Sequence, residues 1–226
     1  MAVVISTLTN AINSLNFLYN GSSTPPASGE EDFLVWTGLL NIAINLWEQE
    51  EGIFWRELFV KLADAADGDK TVTADDYSYA VPTNFVFPSS AYVWLGSGTD
   101  KIPVKVIRQE DLQLYENNSD NWCYFLMDTS PTLEFNPNMT LTTDDTIAYN
   151  YYKTATAVSS GSDTFEMSDP MFAVFYALSE LKKEEGDTSA LTIATQKLEG
   201  MKTLNMMTAE YQKNSVFNDT QEGFGL

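Results

Sequence analysis

Two carboxylate pairs, Asp75-Asp76 and Asp144-Asp145, and an acidic run around a glycine, Asp64-Ala65-Ala66-Asp67-Gly68-Asp69, are the first places to look for reactivity. Adjacent carboxylates can serve as general acid and base, and several around a glycine can wrap a hard cation such as calcium. The run lacks the Asp-x-Asp-x-Asp-Gly order and the distal Glu of an EF-hand loop, so it reads as a solvated turn. Both pairs fall between strand-like segments, where Asp favours turns by bonding its own backbone. The chain has no histidine, which removes Ser-His-Asp and Cys-His catalysis and imidazole-ligated zinc. Cys123 is alone, with no second cysteine for an intrachain disulfide or a thiolate metal site. Between Trp122 and Tyr124 it reads as a small core residue. The expectation is no catalytic residue, no metal and no cofactor.

Charge constrains the partners. The 226 residues carry 32 Asp and Glu against 12 Lys and Arg, a formal net charge of −20. Counted along the chain, residues 1–70, 71–158 and 159–226 hold −7, −7 and −6. The acidity therefore belongs to the whole surface rather than to a tail. Tight nucleic-acid binding needs clustered cations to displace counterions, so specific DNA binding is not expected, whereas DNA sliding past without being gripped is compatible. No segment approaches the roughly 20 apolar residues of a membrane span. A soluble protein folded in a reducing compartment is expected.

The elements that would position these residues follow from periodicity. Leu8, Ile12, Leu15 and Leu18 mark a first helix over residues 6–19, ended by Asn20-Gly21. Ser28-Gly29-Glu30-Glu31 has the capping-box pattern, and Phe33, Trp36, Leu40, Ile44 and Trp47 recur at three and four residues in a long second helix ending near Gly52. From residue 71 the period changes to two. Segments at 77–81, 85–87, 91–95, 102–107, 122–126, 133–136 and 147–153 read as strands, with one helical turn at 108–112. Asp169-Pro170 then caps a helix reaching about Glu185, and Gly186 stops it. Asp187 or Ser189 caps a last helix to about Met207. The fold class expected is α+β: amino- and carboxy-terminal helices forming a bundle, with an inserted antiparallel β-sandwich or small barrel. The divisions are residues 1–70, 71–158, 159–207 and an extended arm, 208–226.

Two features keep alternative readings. Trp94 and Trp122 lie within strands, where they could pack the core or form a platform for carbohydrate or protein. The segment 208–226 is too polar to fold alone, yet Tyr211, Phe217, Phe224 and Leu226 are spaced along it like anchors. It is either a frayed end or a segment that orders on a partner.

With these elements placed, the chain resembles the head–tail connector, or adaptor, proteins of tailed bacteriophages. The resemblance runs through the helix at residues 6–19 and Leu40-Asn41-Ile42-Ala43-Ile44-Asn45-Leu46-Trp47. It continues in Tyr79-Ala80-Val81-Pro82-Thr83-Asn84-Phe85 and Leu133-Glu134-Phe135-Asn136-Pro137, the strand at 147–152, and Asp169-Pro170-Met171-Phe172. It ends in Ala177-Leu178-Ser179-Glu180-Leu181 and Ala194-Thr195-Gln196-Lys197-Leu198. The resemblance implies a homo-oligomeric ring of about twelve copies docked under the portal protein in the virion neck. Such a ring extends the DNA channel, helps retain the packaged genome and supports tail or further neck proteins. It would be made in the bacterial host cytoplasm, with no membrane partner. It also implies that residues 208–226 form a portal-docking arm bearing Tyr211, Phe217, Phe224 and Leu226. The β-insertion is larger than a minimal adaptor requires, which fits an outer domain for tail or fibre components. The rival expectations are a carbohydrate- or protein-binding module of a tail or fibre component using Trp94 and Trp122, and another neck ring such as a tail terminator.

Overall fold

The computed structural model describes residues 6–64, 71–73, 75–97, 100–115 and 120–221, with 64 and 208–221 as backbone only. The fold is α+β, with helices at both termini flanking two sheets. In chain order come α1 (Leu8–Asn20), α2 (Glu31–Glu48), β1 (Phe59–Lys61), β2 (Ser78–Ala80), β3 (Phe85–Pro88), β4 (Tyr92–Ser97) and β5 (Asp100–Val106). Then follow α3 (Leu112–Tyr115), β6 (Trp122–Leu126), β7 (Thr132–Phe135), β8 (Thr146–Ala148), β9 (Asn150–Lys153), α4 (Met171–Leu181) and α5 (Ser189–Gln221). The chain divides into two compact units, residues 1–57 with 155–226, and residues 58–154. No helix among the described residues is long and apolar enough to cross a membrane.

In the helical unit, local signals set the helix ends. The Thr7 hydroxyl accepts from the Asn10 amide at 3.3 Å and caps α1, and Gly21 takes the left-handed conformation (φ 65°) that closes it. The expected capping box at α2 does not form. Glu30 is the N-cap and makes no side-chain cap bond; its carboxylate instead accepts from the Ala27 amide at 3.0 Å, tightening the approach loop. Asp169 accepts from the Met171 amide at 3.1 Å at the start of α4, as its type predicts. α4 is shorter than the sequence pattern indicates, giving way after Leu181 to a 3-10 turn, Lys183–Glu185, and to Gly186 at φ 73°. α5 is longer, running to Gln221. Residues 208–221 contain no Gly or Pro to interrupt the backbone ladder, and polarity alone does not end a helix.

α4 packs against α1, α2 and α5. Ala173 and Ala177 are wholly buried on it, and Phe172, Val174 and Leu178 are nearly so. The small side chains let backbones approach; the large ones fill the space between. α2 contributes Phe33, Trp36, Leu40, Ala43, Ile44 and Trp47 to the interior. Trp47 stacks on Trp55 at 5.2 Å, and the Trp55 indole donates to the Trp47 carbonyl at 2.6 Å. The segment after α2 is thereby fastened to it.

In the β-rich unit the strands form a three-stranded sheet, β1-β9-β3, and a six-stranded sheet, β2-β7-β6-β5-β4-β8, curled into a half-barrel. Three details differ from the sequence expectation. The segment expected as one strand at 147–153 is divided at Tyr149, with β8 in one sheet and β9 in the other. The pair β5–β6 is parallel, because the chain crosses over through α3 before β6 begins. β1 was not legible as a strand, since only three residues pair. Both sheets bury side chains in one core that includes Tyr79, Phe85, Val93, Leu95, Val104, Cys123, Leu133, Phe135, Ile147 and Tyr151.

Gly96 on β4 has φ 147°, and a Cβ built on it would lie 2.1 Å from the Asp100 carbonyl oxygen. That oxygen belongs to the paired strand and cannot retreat without breaking the β4–β5 ladder. Gly96→Ala is therefore expected to cost about 1–3 kcal/mol, read as a lower midpoint in chemical denaturation. An unchanged midpoint would contradict the close approach.

Candidate interaction surfaces

Strand alternation sorts the aromatic residues of the half-barrel. Val93 and Leu95 face the core, so Tyr92 and Trp94 between and beside them face outward. Trp94 is 43% exposed and Tyr92 45%. They line a groove of about 330 Å³ with Lys61, Lys101, Ile147 and Tyr149. Neither lysine forms an ion pair with a described carboxylate. Trp122 does not join this groove. It sits on β6, separated from β4 by β5, and is almost wholly buried. The Tyr115 ring, at the end of α3, meets it edge-on at 6.4 Å, and Lys105 donates to the Tyr115 hydroxyl at 2.9 Å. The expected Trp94–Trp122 platform is thus not assembled. Tyr92, Lys61 and Lys101 replace Trp122 as companions of Trp94, a grouping partly readable from the Tyr92/Trp94 alternation.

The acidic pairs shape turns. Asp75 and Asp144 adopt left-handed backbone conformations (φ 59° and 72°), which Asp tolerates better than most side chains. The Asp76 carboxylate accepts from the Ser78 amide at 3.1 Å, and the Asp145 carbonyl accepts from the Val72 amide at 2.8 Å. In the Asp64–Asp69 run, residues 65–69 lie outside the described residues. Among the described residues no cluster of three or more His, Cys, Asp or Glu could hold a metal ion. Burial pushes the Cys123 thiol well above its ordinary range, so the reactive thiolate is suppressed.

The last helix is anchored over its first half. Ala190, Ala194 and Met201 are buried, and Lys197 pairs with Asp169 at 3.0 Å. Lys202 bridges Glu199, at 2.8 Å, and Glu50. Asn205 donates to the Phe54 carbonyl at 3.0 Å and accepts from the Arg56 amide at 3.2 Å. Of the four expected arm residues, Tyr211 and Phe217 fall on the helical backbone of α5, and Phe224 and Leu226 lie outside the described residues.

Among the described residues, three carboxylates lie away from the ordinary range and bear on how stability responds to acid. Burial raises Glu48 above the usual carboxylate range, the Glu166 charge reinforces this, and a hydrogen bond from the Ala155 amide opposes it. Asp163 is held low by the Ser160 and Ser159 amides, and Asp187 by the Ser189 hydroxyl and amide. A raised carboxylate favours the folded state as pH falls through its folded value; a lowered one withdraws support only when pH falls below the ordinary range. Relief of self-repulsion at −20 acts in the same direction as Glu48. The thermal midpoint is therefore expected to rise from pH 7 to about pH 5 and to fall below about pH 4. A steady fall from pH 7 downward would contradict the assignment, and Glu48→Gln should flatten the rise.

No curated protein matches the chain in a sequence search. A scan against models of protein families matches SU10 adaptor protein over residues 6–218. It takes in α1, α2, both sheets, α4 and nearly all of α5, the helix–β–helix order described above. By that match the chain belongs to the SU10 adaptor protein family, a family of phage head–tail adaptors.

Proposed function

We propose that the protein is a structural, non-catalytic adaptor that assembles as a ring of about twelve copies below the portal of a tailed bacteriophage. There it would extend the DNA channel and support attachment of the tail. The observation carrying this reading is family membership over residues 6–218. The charge is consistent with it: a −20 chain without histidine can line a passage for DNA without gripping it. In this reading the far end of α5 and the residues after it, 208–226, dock into the portal through Tyr211, Phe217, Phe224 and Leu226. The protein would be made in the bacterial host cytoplasm and incorporated into the virion neck.

A second reading concerns the β-rich unit and is favoured by the Trp94 groove. An exposed indole and phenol beside two lysines suit an acidic segment of a tail or fibre protein. This activity would accompany the adaptor role.

The direct test is the mass of the native assembly, by native mass spectrometry or cryo-electron microscopy, with and without the portal protein of the same phage. A ring of about twelve, alone or on the portal, is expected; a monomer indifferent to portal would refute the reading. Deleting residues 208–226 should leave the melting temperature unchanged, since the described anchors of α5 end at Asn205, and should abolish portal association. Mobility-shift assays at about 50 mM salt should show no DNA binding, and a salt-sensitive shift would reverse the channel argument.

A further inference from the structure

Helix α2 has two apolar faces, and only one is buried within the helical unit. Opposite Phe33, Trp36, Leu40, Ala43 and Trp47, four aliphatic side chains stand in the open: Leu34 is 61% exposed, Val35 48%, Ile42 47% and Leu46 44%. Gly38 lies among them, with no atom within 4 Å of a Cβ built there. Val35, Gly38, Ile42 and Leu46 are spaced three, four and four apart, which places them in one stripe along the helix. A helix that is apolar on all sides is normally covered on all sides. Beside the stripe, Leu34, Thr37, Gly38 and Asn41 form one wall of a groove of about 600 Å³, whose other wall includes Ser159 and Gly161. Among the described residues, none lining that groove is charged.

Charge identifies the occupant. Between residues 6 and 47 the only charged side chains are Glu30, Glu31 and Asp32, at the start of α2. A portal or tail protein could meet this adaptor through a basic surface anywhere on its acidic exterior. A second copy carries the same −20 and is repelled wherever the two acidic surfaces approach. Identical acidic chains come into contact at low electrostatic cost on a face without charge. The α2 stripe supplies such a face together with apolar area to bury.

We propose that the exposed face of α2, formed by Leu34, Val35, Gly38, Ile42 and Leu46, is the lateral contact with a neighbouring copy of this chain. The inference rests on the ring reading and deepens it by naming the surface that builds the ring. A closed ring of this kind is heterologous, so the stripe meets a different part of the next copy.

The test is photo-crosslinking with benzoylphenylalanine placed at Ile42, and at exposed Glu110 in the β-rich unit as control. Full-length protein is irradiated alone at high concentration and together with the portal. Adducts at twice the chain mass from position 42 but not from position 110 are expected. In parallel, the variant I42E/L46E should melt like the parent and lose the ring by native mass. Rings on the portal without a copy–copy adduct from position 42, or with I42E/L46E assembling fully, would overturn the α2 contact and leave the ring reading standing. An adduct from position 42 to the portal protein alone would also overturn it. If the parent forms no ring, the ring reading fails by itself. The protein irradiated alone then decides the surface: a copy–copy adduct sustains it and its absence sinks it.

Discussion

Burial of α4 is the constraint on which the helical unit depends. α1 and α2 come from the first fifty residues, and α4 and α5 from beyond residue 170, so no local interaction joins them. α4 touches all three of the others, and its Phe172, Val174 and Leu178 each contribute about 1.5–3 kcal/mol of transfer free energy when buried. Ala173 and Ala177 contribute little area themselves, but their size allows the close approach that buries the others. A chain that leaves for nearly a hundred residues of β-structure must return to the same place to complete the unit. The apolar face of α4 supplies the free energy for that return, and Asp169 fixes where the helix begins.

Electrostatics contributes little to holding the fold together. The described ion pairs, such as Lys197–Asp169 and Lys183–Glu180, are at least partly exposed, and exposed pairs of that kind contribute at most about 1 kcal/mol. Twelve cations cannot neutralise thirty-two carboxylates. The two apolar cores must therefore exceed both the conformational entropy and a persistent self-repulsion. The distribution of the charge is informative in turn. It is even on the scale of seventy residues but absent from nearly all of α1 and α2, and a coarse count conceals that gap.

The α+β class, the second helix and its inward stripe, the Asp169 cap and most strands were legible because each rests on a short-range pattern. The buried set Phe33, Trp36, Leu40, Ile44 and Trp47 matches the spacing read from sequence. Features decided by distant contacts were not legible. The split at Tyr149 depends on which sheet each half finds, and β1 exists only because β9 lies beside it. The capping box failed because the helix begins at Glu31 with Glu30 as its N-cap, so Ser28 lies outside the cap position. On α4, Phe175, Tyr176 and Leu181 are only half-buried, while Ala173 and Val174 carry more of the contact. The outward stripe of α2 was not read from the sequence, where the spacing marked only the inward set, because its exposure depends on what packs where. Of the candidate arm, residue types and spacing were all the sequence offered, and the structure adds a helical backbone through Gln221.

The two strand tryptophans illustrate how topology, rather than residue type, assigns a role. Trp94 and Trp122 both alternate with core residues and both project from the outer side of the half-barrel. Tyr92 pairs with Lys105, and Lys105 pairs with Trp122, so one row of side chains runs across the three strands. What separates them is the crossover between β5 and β6. A parallel pair cannot be joined by a tight hairpin, and the connection that results carries Tyr115 onto Trp122 and draws Lys105 to the Tyr115 hydroxyl. At the other end of the row the antiparallel β4–β5 and β4–β8 pairings leave Tyr92 and Trp94 open beside the groove. The parallel pair is thus what turns two equivalent tryptophans into one packing residue and one surface residue.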